Sequence, residues 1–193
     1  MRADALKNHE KIVEVAAQVF SEKGLDAPID DIATRAGVGA GTLYRHFPTR
    51  DDLIDAVVKS WMNQIDAAAD QVVASGAPAR VALMEWFETY VSRISRNKGG
   101  PAKITSAMGK SESPIYSKCE TLRLANDRVL SHLRERGELR DGVDSLEVCR
   151  LIGGIAVVAD QGTLPSDSIH SMLTVVIEGL VSSDHAVGDS SRE

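Results

Sequence analysis

Thr42, Tyr44, Arg45 and His46 bring a hydroxyl, a phenol, a guanidinium and an imidazole into one short stretch, interleaved with the apolar Leu43 and Phe47. Wound as a helix over Val38 to Phe47, this stretch puts Leu43 and Phe47 four residues apart on one face. The inner face can dock, and the outward face consists of hydrogen-bonding groups. Just upstream, Ile29, Ile32, Ala33 and Ala36 recur at helical spacing between Pro28 and Ala36. Gly37 follows where a chain leaving a helix needs a positive φ. Two short helices therefore meet across Gly37-Val38-Gly39. This is helix-turn-helix geometry, in which the second helix is presented to the DNA major groove and the first braces it.

The same residues carry a resemblance. Ile32-Ala33, then Ala36-Gly37-Val38, Gly41-Thr42-Leu43-Tyr44, His46-Phe47 and Asp52-Leu53 resemble the N-terminal signature of the tetracycline-repressor (TetR) family of transcriptional regulators. The likeness is dense from about Ile12 to Leu53; beyond it the chain is similar only to an all-helical second domain. The resemblance implies that Thr42, Tyr44 and His46 contact phosphates or bases, that Arg45 holds the operator-reading position, and that Arg50 faces phosphate. Gly39 stands where many relatives carry a serine cap, a change worth only a few tenths of a kcal/mol. Ala40 and Gly41 are small enough to let the helix start sit deep in the groove. At Arg45, bidentate pairing with guanine O6 and N7 places a guanine in each half-site. A second departure from the family is Ala27-Pro28, which replaces the usual Thr or Ser cap of the preceding helix; with Asp30 nearby, phosphate binding weakens modestly.

Charge is distributed unevenly. The first 50 residues hold seven Lys or Arg and seven Asp or Glu, so the whole net charge of −6 lies in the remainder. A neutral head argues against a nonspecific, charge-driven nucleic-acid coat and leaves room for a specific reader. Cys119 and Cys149 are thirty residues apart without a CxxC or a histidine at ligand spacing, so buried thiols are expected, with no metal site and no cofactor. P-loop, GxGxxG and nucleophile-elbow patterns are all missing, and an enzyme is not expected. The longest uncharged apolar run, Leu151 to Ala159, falls short of the roughly 20 residues that span a bilayer. A cytoplasmic protein without a membrane partner is the expectation.

The elements that must position the reading helix are all helical. Ile12, Val13, Ala16, Val19 and Phe20 form the stripe of a first helix, about Ala5 to Lys23, ended by Gly24. Pro28 is expected at the first position of the second helix. Thr49 with Asp52 forms a capping box at the start of a long helix whose apolar positions run Leu53, Val57, Trp61, Ile65, Ala68 and Val72. Ser75 to Pro78 breaks it. A helix from about Ala79 to Ser95 carries Leu83, Trp86, Phe87, Tyr90, Val91 and Ile94, the richest aromatic cluster in the chain. Asn97 to Pro101 and Gly109 to Pro114 have loop composition and bracket a short segment containing Met108. A helix from about Ile115 to Arg136 places Tyr116, Cys119, Leu122, Val129 and Leu133 inward.

Two apolar helices close the pattern, about Ser145 to Gln161 and Ser166 to Val181, the first with Gly153-Gly154 in its middle. Each glycine costs about 1 kcal/mol relative to alanine, which close helix approach would offset. Such a pair suits a four-helix bundle between two subunits, the usual interface of the resembled family. Residues 183–193 are expected to be a disordered tail.

The expected architecture is thus an all-α chain of about nine helices. A three-helix DNA-binding domain occupies residues 1–50, and a helical effector-binding and dimerisation domain occupies 51–182. The expected function is a homodimeric regulator, a repressor on a palindromic double-stranded DNA operator, released by a small effector. Pocket walls are expected at Trp61, Trp86, Phe87, Tyr90, Met108, Tyr116 and Cys119, large or polarisable side chains from several helices that can converge, and with few charges among them the effector is apolar or aromatic. The competing readings are a helix-turn-helix protein without an effector and a head that binds protein.

Overall fold

Hydrophobic residues make up 43% of the sequence but aromatics only 4%, so helices must bury aliphatic stripes rather than stacked rings. A computed structural model describes residues 2–24, 26–96, 99–113, 115–162 and 164–182; the expected tail, residues 183–193, lies outside them. Among the described residues there are nine helices and, apart from one isolated bridge, no extended pairing. The chain divides into two compact units between Ile65 and Asp66.

In the first unit, α1 (Arg2–Lys23), α2 (Ile29–Ala36) and α3 (Ala40–His46) are followed by the opening turns of α4 (Arg50–Ser75). Their core joins Ile12, Val13, Ala16, Val19 and Phe20 of α1 to Ile32, Ala33 and Ala36 of α2, with Leu43, Phe47 and Leu53 closing it. The stripe on α1 is therefore the one its spacing predicts. Pro28 differs from expectation: it caps α2 from outside the helix, and its carbonyl accepts from Asp31 N at 3.2 Å. Its ψ of 133° keeps it out of the helical region. At α4 the expected capping box is present. Thr49 N donates to Asp52 Oδ2 at 2.9 Å, and Asp52 N donates to Thr49 Oγ1 at 3.1 Å.

The second unit holds the last turns of α4 with α5 (Ala79–Ile94), α6 (Gly100–Ala107), α7 (Tyr116–Glu135), α8 (Ser145–Gln161) and α9 (Ser166–Leu180). Helix α6 corrects the loop reading of Gly100-Pro101. Proline near a helix start costs no hydrogen bond, and Pro101, Ile104 and Ala107 bury one face of α6. The close approach expected of the paired glycines occurs at one of them: Gly153 lies directly against Thr105 of α6, while Gly154 faces open space. The second unit is closed at its end by the bridge between Leu139 and Val181, flanked by Arg140 N to Leu180 O and Ser182 N to Glu138 O, both 2.9 Å.

Candidate functional site

The reading helix is held from below and open above. Gly37, at φ +68°, turns the chain out of α2 as Val38 N donates to Ala33 O at 3.0 Å. Gly39 then caps α3, its carbonyl accepting from Thr42 N and Leu43 N. Leu43 and Phe47 are buried, while Gly39, Ala40, Gly41, Tyr44 and Arg45 are exposed and Thr42, His46 and Arg50 half-buried. A side chain at Gly39 or Gly41 would meet nothing within 4 Å, so the start of α3 is unobstructed. All eight residues singled out for DNA thus fall on α3, its cap, or the first residue of α4.

Several cations of the first unit are engaged within it. Lys23 Nζ pairs with Asp31 at 2.7 Å, and Arg35 Nη1 with Glu22 at 2.7 Å. The hydrogen bond from Lys23 holds the Asp31 carboxyl below the usual carboxylate range. Arg45 is held by its own helix, donating from Nε to Gly41 O and from Nη2 to Thr42 Oγ1. One contributor escaped the sequence reading. His9 of α1 packs against Phe47 with ring planes tilted by 40° and centroids 4.8 Å apart, and meets His46 edge-on at 6.0 Å. Nothing local in the sequence signals a contact between residues so far apart.

In the second unit, Trp86, Phe87 and Tyr90 have no exposed surface, and Met108 and Cys119 are also buried. Trp86 and Tyr90 meet edge to face at 6.1 Å. Trp86 Nε1 donates to Asn126 Oδ1 at 2.9 Å, and Asn126 Nδ2 to the Ser145 carbonyl at 3.0 Å. The Cys119 thiol donates to Ile104 O, and burial pushes the Cys149 thiol up to about 12. Both cysteines are free. Tyr116 is not inward as its spacing predicts: it is 36% exposed, on the rim of a cavity of about 630 Å³ with Glu120, Arg123, Asp127 and Arg134. A further cavity, about 500 Å³, has Glu88, Ser95, Asp160 and His170 in its wall. Trp61 is half-buried in the part of α4 that belongs to the first unit.

A three-helix head with an outward polar helix, joined in sequence to a larger helical unit, is the organisation of a helix-turn-helix DNA-binding regulator. Residues 12–57 match the model of bacterial regulatory proteins of the tetR family, and residues 77–182 match the SbtR-like transcriptional regulator C-terminal domain. The chain belongs to the TetR family of transcriptional regulators. It is 25% identical over 184 residues to the HTH-type transcriptional repressor KstR2 of Rhodococcus jostii, covering 89% of this chain and 90% of that one. Among solved structures, TetR regulator SCO0520 of Streptomyces coelicolor superposes with a TM-score of 0.70 at 28% identity, covering 91% of this chain and 99% of its own. A TetR regulator from Mycobacterium vanbaalenii gives 0.68 at 28% identity, with 94% and 99% covered. Among the described residues no helix is long and apolar enough to cross a membrane.

Proposed function

We propose that this regulator is a cytoplasmic homodimeric repressor, released from a palindromic operator when a small effector binds its C-terminal unit. The observation that carries the DNA half is α3 itself, where Thr42, Tyr44, Arg45 and His46 project from a helix anchored through Leu43 and Phe47. Two such helices, one per protomer, read successive major grooves about 34 Å apart. The dimer is supported by apolar side chains that α8 and α9 leave in water: Leu151 and Val158 on the first, Val175 at 74% exposure on the second. The interior cluster around Trp86 and Tyr90 supports an apolar effector. Effector and DNA each favour a different conformer and so oppose one another reciprocally. The similarity to the KstR2 repressor supports repression over activation.

Binding of the purified protein to the DNA flanking its own gene, titrated against salt and competitor, tests this reading. Competitor-resistant binding with two protomers per site is expected. Binding that vanishes with competitor, both there and on duplexes selected from a random pool, would overturn it.

A further inference from the structure

Along α1 the buried stripe Ile12, Val13, Ala16, Val19 and Phe20 continues one step towards the N-terminus, to His9, which precedes Ile12 and Val13 at helical spacing. An apolar side chain is the ordinary occupant of such a position. The chain puts a half-buried imidazole there and sets it against the C-terminal end of α3. His9 and Phe47 have centroids 4.8 Å apart, His9 meets His46 edge-on at 6.0 Å with planes at 72°, and His46 and Phe47 are 6.2 Å apart. The three rings close a triangle.

Phe47 marks where the chain leaves α3. Its amide still donates to Leu43 O at 2.9 Å, but its ψ of 89° is no longer helical, and the residue is buried. His46, the last residue of α3, is half-buried beside it. A side chain at the end of a short helix has several rotamers open to it, and ordering one of them on binding costs affinity. Rings on two sides restrict His46 before any DNA arrives. Arg45, by contrast, is held from within α3, through Gly41 and Thr42.

We infer that His9 is a positioning residue for DNA reading: seated on Phe47, its ring fixes the rotamer in which the His46 imidazole meets the duplex. This rests on the reading of His46 as a DNA contact and deepens it, because it brings α1, outside the helix-turn-helix, into operator recognition. Two roles of the His9 ring can be separated chemically. Covering Phe47 is something any apolar side chain of similar size can do. Presenting a flat ring to His46 requires another aromatic.

The probe is the tightest duplex that the full-length protein recovers from a random pool. On it, His46→Ala should weaken binding about tenfold or more, as the loss of a polar contact in each head. His9→Leu keeps Phe47 covered, so its melting temperature should stay at or above that of the parent. It should nevertheless weaken binding about threefold per head, roughly tenfold for a dimer, the worth of one ordered side chain in each. His9→Phe should restore most of that affinity. Interference mapping, of phosphates by ethylation and of purines by methylation, gives a readout that a packing role would not move. The position that ceases to matter in His46→Ala should be the one that ceases to matter in His9→Leu, with the others unchanged. In the His46→Ala background, His9→Leu should cost nothing further.

Four results would overturn the positioning role: parental binding by His9→Leu, interference weakened at every position alike, a further loss on top of His46→Ala, or no recovery in His9→Phe. The last two would make His9 a direct contact instead. Parental binding by His46→Ala removes the His46 contact and this inference together, while the selected duplex leaves the DNA reading standing. A pool that yields no preferred duplex overturns the DNA reading itself, and the inference with it.

Discussion

Arg45 Nη2 donates to Thr42 Oγ1 at 2.9 Å, one turn back along the same helix, while its Nε reaches the Gly41 carbonyl at 3.2 Å. The guanidinium is thereby held along α3, with three of its five N–H donors outside these two bonds. Arg45→Ala should cost about 1–3 kcal/mol on a specific duplex and little on random DNA. Arg45→Lys should recover charge but not bidentate preference. Competition binding on operator variants substituted at the paired guanine checks both.

The reciprocal cap of Thr49 and Asp52 fixes where α4 begins and therefore where Arg50 stands. Asp52→Ala removes an acceptor shared by the Thr49 amide and hydroxyl. A loss of about 0.5–2 kcal/mol in urea unfolding is expected, with Asp52→Glu, the usual capping-box residue, retaining most of it.

Gly153 and Thr105 should couple. Gly153→Ala forces a methyl group onto the Thr105 side chain, and overpacking of this kind costs about 1–3 kcal/mol despite the better helix propensity of alanine. Thr105→Ala in the same chain removes the obstacle. Thermal unfolding of both single variants and the double variant should therefore show a non-additive recovery.

The Cys149 thiol, raised from 9.0 to about 12 in the fold, binds its proton over a range where the unfolded chain has lost it. Its contribution to stability is full below pH 9 and falls as pH rises from there towards 12. Cys149→Ala should flatten that decline in a melting-temperature profile. The same protonated, buried state predicts slow reaction of native Cys149 with iodoacetamide at pH 8.

On the dimer reading, a charge at Val175 or Leu151 has no partner once the apolar faces meet. Val175→Asp or Leu151→Asp should convert the dimer to a folded monomer in sedimentation and weaken operator binding, because two linked heads gain from simultaneous engagement.

The head was legible because its signals are local. Gly37 announces a positive φ, Leu43 and Phe47 announce a docking face, and Thr49 with Asp52 announces a helix start, all within a few residues of where they act. The helices of the second unit were legible in the same way, through stripes such as Leu122, Val129 and Leu133. What the stripes could not give was the partner of each face. Tyr116 has the spacing of a core residue yet sits at the first residue of α7, where the helix has not yet entered the interior. Gly100-Pro101 has loop composition, but burial of Ile104 and Ala107 makes a helix of it. His9 against Phe47, and Thr105 against Gly153, are set by packing between segments distant in sequence, which periodicity does not encode.

The bridge between Leu139 and Val181 sets a limit on where the chain can be shortened. Besides the bridge, Arg140 Nε donates to the Val181 carbonyl and Ser182 Oγ to the Gly137 carbonyl, so the turn after α7 and the end of α9 share one seam. A purification tag or protease site placed after Ser182 leaves that seam whole, whereas trimming back to Leu180 unzips it and frees the last turn of α9 to fray.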